Sequence, residues 1–258
     1  MTFPISKQAP KLTLGEYVAH GYAGAGAKMV YGQGYNPGIT GENRESVWPV
    51  GGNYAFMSAA AHLDIVSSSA TDDDSSNTGA QIVQLTYLDS DYVEHVAEYS
   101  MNGTADVETA TDVFRVNDFR VVGGLAAVGT ITAELHGGTT TQASIGIGET
   151  RDRQLVYTVP NGFNLHLAAF AWASSGADTK GYMRYTLMSN YDDSVGEVGT
   201  IFYPLMEVSV QNAGLVYSMP VPLVLPEHTD VYMSVIGDAA TLTAAATSSW
   251  RGMLIPNA

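Results

Sequence analysis

Phe163-Asn164-Leu165-His166-Leu167-Ala168-Ala169-Phe170-Ala171 decides the fold class. Phe163, Leu165, Leu167, Ala169 and Ala171 fall on one face, with Asn164 and His166 on the other. A side-chain period of two marks a strand with one buried and one wet face. The same alternation recurs in Val83/Leu85/Tyr87, Ile131/Ala133/Leu135, Met183/Tyr185/Leu187, Met206/Val208/Val210 and Val231/Met233/Val235. Turn chemistry separates these runs at Asn102-Gly103, Gly123-Gly124, Gly137-Gly138, Asn161-Gly162, Ser175-Gly176 and Asn190-Tyr191-Asp192-Asp193. No ten-residue stretch after residue 60 holds a helical period. A strand every 8–14 residues or so, about ten in all, predicts an all-β protein.

With 258 residues, 45% of them hydrophobic, the chain supports a large core without staples. The expected architecture is an antiparallel β-sandwich of jelly-roll type over residues 58–258, two sheets sharing one core. Two small sandwiches meeting near Gly148–Arg153 are the alternative. Residues 1–57 read as an extended irregular N-terminal arm with one short helix near Leu12–His20.

The stretch from Val30 to Tyr54 carries Tyr31, Tyr35, Trp48 and Tyr54 among glycines and prolines, without helix or strand period. Aromatic side chains bring large contact area at low entropic cost. In an arm with no core of its own, these four are the interface candidates. Removing residues 1–57 is expected to leave a folded sandwich that no longer binds its partner.

Charge narrows the partners. Charged residues are 14% of the chain, about half the usual share. The net charge is −15 with only four lysines, which argues against binding a phosphate backbone or an anionic membrane. There is no cysteine, so disulfides and thiolate metal sites are excluded, as fits synthesis in a reducing cytoplasm. No signal peptide is visible at Met1–Lys7, and no run approaches the roughly 18 apolar residues that span a bilayer.

Constellations for chemistry are sparse. Asp72-Asp73-Asp74 lacks the glycine and glutamate spacing of an EF-hand and reads as a solvated loop. Tyr191-Asp192-Asp193 reads as an acidic turn. His20, His62, His95, His136, His166 and His228 form no close pair in sequence, so a metal site among them requires assembly across strands. No Gly-x-Ser-x-Gly turn is present, and Gly146-Ile147-Gly148 lacks the lysine of a phosphate loop. Glu134, Glu149 and Glu207 are the carboxylates in strand context that glycoside hydrolysis would need. The reading is no enzyme, no catalytic residue, no metal and no cofactor.

Several short patterns resemble one family. They are Gly21-Tyr22, Asn36-Pro37-Gly38-Ile39 and Glu45-x-Val47-Trp48-x-x-Gly51-Gly52-x-Tyr54; the serine-rich acidic turn at 67–78; Met101-Asn102-Gly103 with Arg115-Val116-Asn117; Tyr157-Thr158-Val159-Pro160-Asn161-Gly162; and Pro226-Glu227-His228-Thr229-Asp230-Val231. In this order they resemble bacteriophage virion structural proteins of marine and freshwater phages, of the capsid decoration (cement) or head-fibre type. The resemblance implies a structural protein made in the host bacterial cytoplasm and placed on the capsid exterior. Its implied partners are the major capsid protein and copies of itself in a homotrimer. The alternative is a tail-fibre or receptor-binding β-sandwich that recognises host-surface glycans.

Overall fold

Alternation breaks once in the strand quoted above, and the break decides which rings reach the core. Strand β11 (Phe163–Gly176) buries Leu165 and Leu167, then Phe170 and Trp172. Its pairing with β16 (Thr243–Pro256) slips between Leu167 and Ala169. One extra residue moves every later side chain to the opposite face. The expectation that Ala169 and Ala171 continue the buried face is therefore corrected. Phe170 and Trp172 take their place, stacked with centroids 5.6 Å apart.

The structure, a computed structural model, describes residues 26–40, 42–75, 78–176, 182–211, 213–237 and 243–257. Among these there are sixteen strands, no helix, and only antiparallel pairing. One sheet runs β1 (Lys28–Thr40), β16, β11, β14 (Gly214–Leu225). A second runs β10 (Val156–Thr158), β15 (Asp230–Gly237), β12 (Met183–Asp192), β13 (Glu197–Val210), with β2 (Glu45–Ser46) also on β15. Side chains of both meet in one core that includes Ile39, Leu167, Phe170, Tyr185, Val235 and Trp250.

The remaining strands build a separate pair of sheets. One is β6 (Val107–Glu108), β3 (Leu63–Ser67), β8 (Ile131–Leu135), β9 (Thr141–Ile145). The other is β5 (Glu94–Ser100), β4 (Ala80–Leu88), β7 (Arg115–Gly124). They enclose a second core around Leu63, Val83, Leu85, Phe119, Ile131 and Ile145. The single shared core over 58–258 is thus replaced by two. The chain leaves the first unit after β2, builds the second, and returns at β10. A boundary near Gly148–Arg153 exists, but the units are nested rather than tandem.

The arm is corrected as well. Residues 1–25, with Gly21-Tyr22 and the helix expected near Leu12–His20, lie outside the described residues. Residues 28–40 are a core strand, paired with β16 from Lys28↔Leu254 to Thr40↔Thr243. Two of its glycines have a packing cause. A Cβ on Gly32 would lie 2.4 Å from the Trp250 indole, and one on Gly34 would lie 2.6 Å from Leu155 Cβ and from the Val47 carbonyl oxygen. The inward period of two is kept, but by residues too small to show it. Removing residues 1–57 would take away this strand, so a folded remainder is no longer expected.

The acidic run has divided roles. Asp72 is fully buried. Its carboxylate accepts bonds from Ser67 Oγ (2.6 Å), Ala80 N (2.9 Å), Val128 N (2.9 Å) and Gly129 N (2.8 Å). Burial alone would raise its pKa, but these donors outweigh burial and hold it below the usual carboxylate value. The solvated reading therefore fails for Asp72, which ties three loops together, and fits the exposed Asp73 turn onto Ser75. Because the folded pKa is depressed, this stabilisation is present above about pH 4 and lost as pH falls through the folded value. Asp72→Asn puts an NH2 group against backbone donors. It is expected to cost on the order of 3 kcal/mol in urea unfolding at pH 7 and to flatten the acid limb of the stability profile.

Candidate interaction surface

The four aromatic candidates separate into two kinds. Trp48 and Tyr54 are buried at 4% and 9% exposure. Their rings meet edge to face at 5.2 Å, and Tyr54 continues to Phe56 at 5.0 Å. Phe56 stacks on Phe202 at 5.2 Å and leans on Tyr232 at 6.1 Å. The Trp48 indole donates to the Gly51 carbonyl (2.8 Å), and Tyr54 Oη bonds Gln142 Oε1 (3.0 Å). These rings form a seam between the two units, so they are internal rather than offered to a partner. Tyr35 is half-buried under the Arg153 guanidinium, 4.6 Å from its centroid. Only Tyr31 remains exposed, with Arg251 5.5 Å from its ring centroid.

Beside the aromatic seam lies a buried ion pair. Arg115 of β7 donates Nε to Asp230 Oδ1 at 2.9 Å and Nη2 to Oδ2 at 3.0 Å. The same guanidinium donates to the Met57 carbonyl at 2.7 Å. Thr158 Oγ1 donates to Asp230 Oδ1 at 2.6 Å, and the Asp230 amide donates to Asn190 Oδ1 at 2.8 Å. Asn117 brackets Thr158, accepting from its amide at 2.8 Å and donating to its carbonyl at 2.9 Å. Three of the short sequence patterns, at 115–117, 157–162 and 226–231, thus converge on the joint between the units.

The surface that asks for a partner lies elsewhere. Strands β13 and β14 are the outermost strands of their sheets, on the edge opposite β1 and β2. Along them Val198, Ile201, Tyr203, Leu215, Val216, Tyr217, Val221 and Val224 are exposed, Val216 and Val221 to 75%. No charged residue lies between Val198 and Met206, or between Val208 and Pro226. In a chain of net charge −15, Glu197 and Glu207 are the only charged residues on these two strands. Scattered exposed apolars are ordinary, whereas a contiguous uncharged patch marks an interaction site.

The same strands are blunted against strand addition. Pro204 lies in β13 and Pro220 and Pro222 in β14, and each strand's pairing breaks register near them. Proline offers no N–H to an added strand. The surface is suited to side-chain packing rather than to backbone pairing. In sequence, Met206, Val208 and Val210 read as one face of an ordinary strand. The signal that could have found the patch is the uncharged run Val208–Pro226 with its paired prolines.

A cleft of about 470 Å3 opens between the units, lined among others by Tyr31, Gln84, Glu94, Asn117, Asp118 and Arg120. Glu134 lies on β8, Glu149 bonds Arg153 (3.3 Å), and Glu207 on β13 accepts from Thr186 (3.2 Å). Tyr191-Asp192-Asp193 closes on itself, with Asp192 capping Ser194.

Neither a family profile nor a curated protein matches the chain. Among solved structures, the structure of the infectious bursal disease virus Gx strain aligns with a TM-score of 0.26 and 11% identity, over 90% of this chain and 71% of that one. A VP2 subviral particle of infectious bursal disease virus aligns with a TM-score of 0.23 and 12% identity, over 89% and 72%. These distant neighbours are proteins of virus particles. Similarity at this level carries no argument about function.

Proposed function

We propose that this chain is a non-enzymatic structural protein of a bacteriophage particle, a capsid decoration (cement) protein. It binds the outer surface of the shell formed by the major capsid protein and stabilises it. The carrying observation is the apolar β13–β14 edge, with Glu197 and Glu207 its only charges, on a strongly acidic chain. Elsewhere two acidic copies repel one another. On this edge they approach with little like-charge cost, so we assign it to contacts between copies of the chain, arranged as a homotrimer. Many copies bridging shell subunits stabilise the assembled particle by mass action and multivalency. The order of the short sequence patterns supports the phage assignment, and the absence of cysteine fits assembly in a host bacterial cytoplasm.

Quantitative mass spectrometry of purified particles tests this reading. Decoration predicts a copy number comparable with that of the major capsid protein. A handful of copies per particle would instead place the chain in a tail or fibre.

A second reading has its own observation. The cleft beside exposed Tyr31 combines a stacking ring with amide, carboxylate and guanidinium groups, the mixture that host-surface glycans call for. Glycan-array binding lost in Tyr31→Ala would favour receptor recognition over decoration.

A further inference from the structure

On the outer face of the β6–β3–β8 sheet, pairing sets three carboxylates in a row. Asp64 of β3 lies opposite Glu108 of β6 on one side and opposite Glu134 of β8 on the other. Like charges placed directly across strands destabilise a sheet. Among the described residues, no lysine or arginine forms an ion pair with any of the three. Among the described residues, the bases that pair with this row are two histidines, His62 with Glu108 and His136 with Asp64.

His62 precedes β3 and His136 follows β8, and the His136 amide donates to the His62 carbonyl at 3.3 Å. Their rings touch, with centroids 3.9 Å apart. His136 Nδ1 lies 2.8 Å from Asp64 Oδ1, and His62 Nδ1 lies 3.9 Å from Glu108 Oε2. One ligand atom each from Asp64, Glu108 and His136 fall within 4.8 Å of one another.

We propose that Asp64, Glu108 and His136, with His62 beside them, bind one divalent transition-metal ion such as Zn2+ or Mn2+. Imidazole nitrogen combined with carboxylate oxygen suits these ions better than Ca2+, which takes oxygen ligands alone. The ion replaces the proton shared between His136 and Asp64 and neutralises the carboxylate row. It also ties the two-residue strand β6 to β3 and the β8–β9 turn. Carboxylate and imidazole bind a metal ion only in their deprotonated forms, so binding weakens as pH falls. The groups on this face are His62, Asp64, Asp106, Glu108, Glu134 and His136.

A second cluster, Asp89, His95 and Asp112, brings ligand atoms equally near. There Asp89 Oδ1 already accepts the Asp91 and Val93 amides, and Asp112 accepts the Tyr87 hydroxyl. His95 is its only imidazole, stacked on Tyr87. It serves as the control.

The test is isothermal titration of the EDTA-treated full chain with ZnCl2 and with MnCl2 at pH 7.5 and 5.5. One ion per chain is expected for at least one metal, with affinity at least tenfold weaker at pH 5.5. The double variant Glu108→Gln/His136→Ala should weaken binding tenfold or more, while His95→Ala should leave it unchanged. Circular dichroism confirms that each variant is folded. No saturable 1:1 binding, wild-type affinity in the double variant, or loss of binding in His95→Ala would each overturn the assignment.

Discussion

Arg115→Met is expected to lower the melting temperature by roughly 10 °C or more and to separate the unfolding of the two units. Among the described residues, the guanidinium is the only cation in contact with Asp230 in a buried joint, at 2.9 and 3.0 Å. Removing it leaves a buried carboxylate without its counter-charge, a loss that typically costs 3–5 kcal/mol. For a chain this size each 1 kcal/mol shifts the midpoint by roughly 2–4 °C. The Met57 carbonyl loses its donor as well. Calorimetry should resolve two transitions where the parent gives one, because Arg115 belongs to the inserted unit and Asp230 to the outer one. A single, unshifted transition would remove this pair from the joint. The companion variant Arg115→Met/Asp230→Leu should recover much of the loss, since replacing both charges of a buried pair by apolar groups is often neutral.

That joint shows what a sequence reveals and what it conceals. The patterns around Arg115, Thr158 and Asp230 stand out as short motifs, but their common location does not, because 115 residues separate the two charges. Strand alternation was legible wherever the inward face carries large apolars, as at Val83, Leu85 and Tyr87, all buried. It was illegible in β1, where Gly32 and Gly34 occupy that face because the Trp250 indole and Leu155 leave no room for a Cβ. It misled at Ala168, where a single bulged residue exchanged the faces of β11. The nested order of the two cores is a property of long-range pairing, β1 with β16 and β2 with β15, which no local window contains.

Two of the four interface candidates, Trp48 and Tyr54, are internal for a related reason. Trp48 and Tyr54 do need another surface to bury their rings, and the surface is supplied by Phe56, Phe202 and Tyr232 of the same chain. Aromatic content identifies groups that demand burial without identifying what buries them. Exposed apolars on β13 and β14 carry the converse information. The chain folds around them without covering them, so the demand remains open.

Charging that open edge should therefore abolish assembly while sparing the fold. Ile201, Val216 and Val221 are 64%, 75% and 75% exposed, so a lysine at each position costs the isolated chain within about 0.5 kcal/mol. In an interface the same three ammonium groups would be buried against apolar side chains without partners. Even one uncompensated buried charge costs several kcal/mol, and each 1.4 kcal/mol is a tenfold loss of affinity. Ile201→Lys/Val216→Lys/Val221→Lys is thus expected to convert an oligomer to monomers in light scattering and to weaken binding to undecorated shells by a hundredfold or more. Its melting temperature should match that of the dissociated parent. The control is Tyr31→Ala on the cleft side of the molecule, which should leave the oligomer intact. An oligomer that survives the triple substitution would show that β13 and β14 face solvent in the assembled state, and self-association would then have to be sought on another face.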